Sequence, residues 1–198
     1  MKKFVNFLSI FRIAVAFIII PTLMFQLYWT AFILFILGAS SDWFDGFLAR
    51  KFNVCSKLGG VLDHIGDKLL VCNTFIMLTI MMPIWFIVVP VVLMIARELY
   101  ISGLREFLGT QKIEMPVPKA RFSLGKIKTT FQMITISIFL LLFAFSSFVN
   151  PSNISSKHLI AMNILSQAGI IAVWVSLIAS VWSASQYTQT FIEKLKNK

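Results

Sequence analysis

The chain has 198 residues, of which 58% are hydrophobic and only 13% charged, where a soluble domain carries about 25% charged residues. With a mean hydropathy of +0.86, that balance excludes a water-soluble globular protein and points to an integral membrane protein. The net charge of +10 would suit nucleic acid, but the basic residues follow membrane sidedness instead of lining a groove, and no nucleic-acid motif accompanies them.

Runs without Asp, Glu, Lys or Arg cover 13–41, 69–96, 129–156 and 158–192. Each exceeds the roughly 20 residues that span a bilayer. The first is too long for one straight span and too short for two. It predicts a helix over about 7–26, a turn at Leu27–Thr30, and a second helix over about 31–50. That second helix reaches span length only by running on through the acidic residues that follow. A third helix is expected at 58–81, a break at Met82–Trp85 around Pro83, and a fourth helix at 86–108. The basic segment 109–128, with Pro116 and Pro118, should be partly loop. A fifth helix over about 122–147, a polar linker at 150–156 and a sixth helix over about 158–186 complete the chain. The expected architecture is all-α, polytopic, with six transmembrane helices in one domain. No cleavable signal peptide is evident, and Cys55 and Cys72 are too few for a disulfide framework.

Charge sidedness orients the bundle. With the turns at 27–30, 82–85 and 148–158 on one side, 17 of the 18 Lys and Arg fall toward the other, Lys157 being the exception. The basic side is therefore expected to be cytoplasmic. Trp29, Trp43 and Trp85 fall near the predicted boundaries, as interfacial aromatics do. Gly103, Gly125 and Gly169 are candidates for close helix packing.

Four of the eight carboxylates lie within 26 residues, as Asp42, Asp45, Asp63 and Asp67. On a helix, Asp42 and Asp45 are one turn apart, with Gly46 and Ala49 continuing the stripe. Gly59, Asp63 and Asp67 are spaced i, i+4, i+8, again one face. If these faces oppose, four anions converge at the cytoplasmic ends of helices two and three. Such a pocket needs a cation, and oxygen-only donors favour a hard one, Mg²⁺ or Mn²⁺. Two ions held by shared carboxylates can clamp a diphosphate and neutralise a leaving group. Gly46, Ala49 and Gly59 leave room for an extended ligand against the backbone. Arg50 can grip a phosphate bidentately. Asp67, last in the series, is the expected general base, beside Asp63. His64 is adjacent to Asp63, about 100° away on a helix, and reads as a packing or interface residue.

These residues match, at every fixed position, the pattern D-x2-D-G-x2-A-R-x8-G-x3-D-x3-D, through Asp42, Asp45, Gly46, Ala49, Arg50, Gly59, Asp63 and Asp67. The stretch resembles the signature of the CDP-alcohol phosphotransferases. That resemblance implies a homodimer of six-helix subunits and transfer of a phosphoalcohol group from a CDP-linked donor. It also implies metal binding by the four aspartates, and a CDP moiety resting near Gly46, Ala49, Arg50 and Gly59. Three shorter stretches resemble the phosphatidylglycerophosphate synthase branch: NFLSIFR (6–12), with Ser9 where that branch has Thr; ARELYISGLREF (96–107), through Arg97, Glu98, Ser102, Leu104, Arg105 and Glu106; and GKIKTTFQM (125–133), through Gly125, Lys126, Lys128, Thr129 and Gln132.

The implied reaction joins CDP-diacylglycerol to sn-glycerol 3-phosphate, by direct displacement, in a bacterial inner membrane or its organellar counterpart, among membrane lipids. Arg105, Arg121, Lys126 and Lys128 are the candidates for the acceptor's phosphate, being basic and near the cytoplasmic face. Lys126 and Lys128 are two apart and point in different directions on a helix. Arg97 and Glu98 read either as a structural pair or as part of the site. Within the family, cardiolipin, phosphatidylserine and phosphatidylinositol-phosphate synthesis are the alternatives. Outside it stand a membrane prenyltransferase, which would need a second acidic motif beyond Asp67, and a divalent-cation transporter, which would carry ionisable groups along a mid-membrane path.

Overall fold

A computed structural model describes the backbone of residues 2–51, 57–111, 124–147 and 156–196, with side chains described for 7–41, 59–111, 128–147 and 156–195. The described residues form six helices: α1 Lys2–Met24, α2 Tyr28–Lys51, α3 Lys57–Met81, α4 Trp85–Thr110, α5 Leu124–Ser146 and α6 Ser156–Lys196. Five of them contain windows long and apolar enough to cross a membrane. In α2 the apolar part is Tyr28–Ser41, and the helix continues through the acidic stretch to Lys51. Its 24 residues give about 36 Å of helix, so span length is reached by carrying the carboxylate positions on the helix itself. The chain is built as a polytopic membrane protein.

Both ends of α1, the start of α2 and the end of α6 differ from the hydropathy reading. Helix α1 begins at Lys2, because a helix does not need to stop where apolar sequence does. Its end comes earlier than expected, at Met24, where Gln26 takes a φ of 59°. Leu27 N–H bonds Thr22 C=O at 2.8 Å and Gln26 N–H bonds Leu23 C=O at 3.0 Å, a Schellman ending. The turn is thus 25–27 rather than 27–30. Helix α6 runs ten residues past the expected limit of 186, to Lys196. Residues 187–196 contain neither Gly nor Pro, and nothing local ends the helix. Its 41 residues amount to roughly 60 Å, twice the hydrocarbon thickness of a bilayer.

The chain divides into two compact units, Met1–Met82 with Ile136–Gly169, and Pro83–Thr135 with Ile170–Lys198. In the first, α1 packs against both α2 and α3. Its core is built from Val15, Ala16, Ile19 and Leu23 of α1, Phe35 of α2, and Leu70, Phe75 and Leu78 of α3, all nearly inaccessible. Polar side chains bind helices together where water is absent: Asn73 on α3 donates to the Ala16 carbonyl on α1 at 2.9 Å. Tyr28 stacks on Phe143 and Trp29 meets Phe145 edge-on. Gly169 lies so close to Phe139 that an added Cβ would stand 2.9 Å from two ring carbons.

In the second unit, the buried face of α4 reads Ile87, Pro90, Val91, Met94, Arg97, Glu98 and Ile101. This is one helical stripe, and it carries two charges into an apolar interior. On α6 the matching buried positions are Val173, Ser176, Leu177, Ser180 and Ser183. Phe107 packs against Phe191 where the two helices run on past the apolar core.

Candidate functional site

Helix α3 places Asp63 and Asp67 one turn apart. Asp63 has a side chain 43% exposed, and Asp67 is half-buried. Gly59, one turn before, is buried, while His64 is exposed. The face predicted from the i, i+4, i+8 spacing is therefore formed on a single unbroken helix.

What holds Asp63 is a residue 51 positions away. Arg12 projects from α1, its side chain wholly inaccessible, and its Nη1 donates to Asp63 Oδ1 at 2.7 Å. The same nitrogen lies 3.5 Å from the Asp63 carbonyl. Its Nε is shared between the Gly38 carbonyl and Ser41 Oγ on α2, each at 3.3 Å, and Ser41 Oγ donates in turn to that carbonyl at 2.7 Å. A desolvated guanidinium is costly unless its donors are satisfied, and here they are answered by both acidic helices. The other carboxylate oxygen, Asp63 Oδ2, takes no hydrogen bond from any described residue. Gly66 permits the approach of α1: a Cβ there would stand 3.3 Å from Ile13 Cγ1, 3.4 Å from the Ser9 carbonyl and 3.5 Å from Arg12 Cδ.

Asp42, Asp45, Gly46, Ala49 and Arg50 occupy the last turns of α2, but their side chains lie outside the described ones. Arg121 falls outside the described residues, and Lys126, on α5, has its side chain outside them. Among the described residues no group of three or more His, Cys, Asp or Glu assembles, since two of the four expected ligands are not among them. The described pair has the donor chemistry a hard divalent cation requires, oxygen only, on a side chain at Asp63 that is 43% exposed.

The second unit holds a polar cluster of its own residues. Glu98 Oε1 accepts from Arg97 Nη1 at 3.1 Å and from Lys128 Nζ. Arg97 Nη2 donates to Ser183 Oγ at 2.9 Å, and Arg97 Nε finds no partner among the described residues. Gln132 reaches Met94 Sδ at 3.7 Å, and Thr135 and Ser176 share a hydroxyl contact of 3.0 Å. So Lys128, one of the candidates for an acceptor phosphate, is buried against Glu98, whereas Arg105 is exposed. Arg105 donates from Nη2 to the Tyr187 hydroxyl at 2.5 Å and lies 4.9 Å from that ring's centroid, a cation–π geometry.

Ser41, Ser183 and Tyr187 were not expected from the sequence. A signal existed for Ser183: with Ser176 and Ser180 it repeats at i, i+4, i+7 in an apolar helix, which marks a polar seam. Arg12 had one too, as a lone charge at the edge of the first apolar run, although its partner was not readable.

Comparison with known proteins agrees with the acidic motif. Residues 3–182 match the CDP-alcohol phosphatidyltransferase family. The chain is 33% identical over 187 residues to the CDP-diacylglycerol–glycerol-3-phosphate 3-phosphatidyltransferase of Escherichia coli (strain K12), covering 91% of this chain and 90% of that one. The protein of the same name from Sodalis glossinidius (strain morsitans) is 34% identical over 155 residues, covering 78% and 74% of the two chains. That from Salmonella choleraesuis (strain SC-B67) is 33% identical over 187 residues, covering 91% and 90%.

Proposed function

The chain belongs to the CDP-alcohol phosphatidyltransferase family, and on that premise we propose that it transfers the phosphatidyl group of CDP-diacylglycerol to sn-glycerol 3-phosphate, releasing CMP. The observation that carries the choice of acceptor is the similarity to glycerol-3-phosphate phosphatidyltransferases over nine-tenths of both chains. The three branch-like stretches, 6–12, 96–107 and 125–133, support it.

In the proposed reaction the C1 hydroxyl of glycerol 3-phosphate attacks the lipid-bearing phosphorus. The new P–O bond forms as the bond from that phosphorus to the bridging oxygen of the diphosphate breaks, and CMP leaves. Asp67 takes the hydroxyl proton. Asp42, Asp45, Asp63 and Asp67 are the proposed ligands of two Mg²⁺ or Mn²⁺ ions, which supply charge neutralisation on the diphosphate. Arg50 binds phosphate, and Gly46, Ala49 and Gly59 let the CDP moiety lie against the helices. For the acceptor's phosphate, Arg105, Arg121 and Lys126 are proposed on charge, Arg105 being the exposed one among the described side chains; Lys128, buried against Glu98, is assigned to the polar cluster instead. The proposal places a homodimer in a bacterial inner membrane, its site open to the cytoplasm. The basic residues on one side support that orientation.

The test is CMP release by purified protein given CDP-diacylglycerol, Mg²⁺ and, in turn, glycerol 3-phosphate, serine, inositol phosphate or phosphatidylglycerol. Release with glycerol 3-phosphate alone is expected. Release with another acceptor and none with glycerol 3-phosphate would overturn the assignment.

A further inference from the structure

From the fork of Arg12 we infer that this residue is a positioning residue of the acidic site, one that sets the orientation of Asp63 and ties the register of α2 to that of α3. The inference rests on the reading of Asp63 as a site carboxylate, and adds to it a residue outside the acidic signature, the last of the branch-like stretch 6–12.

Three features carry it. First, the side chain is wholly inaccessible, so Arg12 does not serve as a membrane-surface anchor of the kind basic residues usually provide. A charge buried in an apolar span is retained for what it contacts. Second, it reaches two elements at once: Asp63 Oδ1 on α3 at 2.7 Å, and Gly38 C=O and Ser41 Oγ on α2 at 3.3 Å each. Ser41 directly precedes Asp42 in the chain. One guanidinium thus grips the turn before the first acidic pair and the first member of the second pair. Third, it occupies one oxygen of Asp63 and leaves Oδ2 without a hydrogen bond from the described residues. Holding Oδ1 restricts rotation of the carboxylate, and with it the direction in which the other oxygen is offered. Arginine suits this task because its donors diverge in a rigid plane. A lysine at the same place would supply a point charge without the diverging planar donors by which Arg12 meets α2 and α3 together.

The experiment uses purified protein in detergent and the metal alone as probe. Thermal unfolding is followed while Mn²⁺ is titrated without substrate, for wild type, Arg12→Lys, Arg12→Gln and Ser41→Ala. Groups that orient a ligand from behind change metal affinity about ten- to a hundredfold when lost. Arg12→Lys and Arg12→Gln should therefore need at least tenfold more Mn²⁺ for half-maximal stabilisation, and Ser41→Ala a smaller increase in the same direction. A role in folding only would lower the metal-free midpoint and leave the Mn²⁺ dependence as in wild type. That outcome in Arg12→Lys, which keeps the charge, overturns the inference even if Arg12→Gln does not fold. A wild type with no response to Mn²⁺ overturns it as well. Failure of the wild type to release CMP from CDP-diacylglycerol and glycerol 3-phosphate would instead sink the proposed function, and is scored separately.

Discussion

Lys128 on α5 donates to Glu98 on α4, and the two side chains are only 8% and 10% exposed. Glu98 also accepts from Arg97, so one buried carboxylate answers two buried cations. Removing one member of such a network is far worse than removing an ion pair outright, because uncompensated charge is left in a medium that cannot solvate it. Glu98→Ala should lower stability by about 3–5 kcal/mol. Glu98→Leu combined with Lys128→Leu should cost less than Glu98→Leu alone. Unfolding of the purified variants in detergent, read as a double-mutant cycle, checks both. A loss in the double variant equal to the sum of the two single losses would show that the pair is not coupled.

The glycines predict opposite responses to the same change. At Gly169 a methyl group would stand 2.9 Å from Cε1 and Cζ of Phe139, so the ring must move or the helices must part. Gly169→Ala is expected to destabilise by about 1–3 kcal/mol, as overpacking does. At Gly103 a Cβ meets nothing within 4 Å. There alanine only gains helix propensity, and Gly103→Ala should be neutral or up to about 1 kcal/mol stabilising. Thermal midpoints of the two variants decide the matter. In the sequence these glycines are equals, and only the neighbour across the helix separates them.

That contrast describes what was legible more generally. Length and charge-free runs mark the spans, because a bilayer sets a length scale that sequence must meet. The acidic face of α3 follows from spacing alone, since Asp63 and Asp67 sit on one helix. The end of α1 was harder to read: Gln26 adopts a left-handed φ of 59°, without the glycine that normally announces such a turn. The end of α6 escaped for another reason. Hydropathy reports where lipid ends, whereas a helix ends where its backbone is interrupted, and nothing interrupts it before Lys196. Least legible were tertiary partners. Arg12 and Asp63 are 51 residues apart, and the sequence places Lys128 near the cytoplasmic face with no sign of Glu98, 30 residues earlier, against it.

Arg105 offers a test of the acceptor side. Its guanidinium is exposed and steadied by Tyr187, through a 2.5 Å hydrogen bond and the ring beneath it. If it binds the phosphate of glycerol 3-phosphate, Arg105→Ala should raise the apparent KM for that substrate about tenfold or more, in keeping with loss of a charge-assisted contact of about 1.5–3 kcal/mol. The KM for CDP-diacylglycerol should change little. Tyr187→Phe removes the hydroxyl but keeps the ring, and should fall between wild type and Arg105→Ala. Steady-state kinetics with each substrate varied in turn gives both constants. An unchanged KM for glycerol 3-phosphate in Arg105→Ala would remove that residue from the acceptor site.

The two carboxylates of α3 should separate when each is made an amide. Asp63 already gives one oxygen to Arg12, so in Asp63→Asn the guanidinium loses its anionic partner and the site loses a proposed ligand together. That variant should lose metal-induced stabilisation as well as turnover. Asp67→Asn keeps the shape and an oxygen donor but cannot accept a proton. If Asp67 is the base, kcat for CMP release should fall about 10²–10⁴-fold, with the KM for CDP-diacylglycerol changed far less. Chelation gives the control: EDTA should abolish release by the wild type, and excess Mg²⁺ or Mn²⁺ should restore it. Excess metal should not restore Asp67→Asn, because its missing function is the proton acceptor. Recovery of that variant by metal alone would reassign Asp67 as a ligand only and move the base elsewhere.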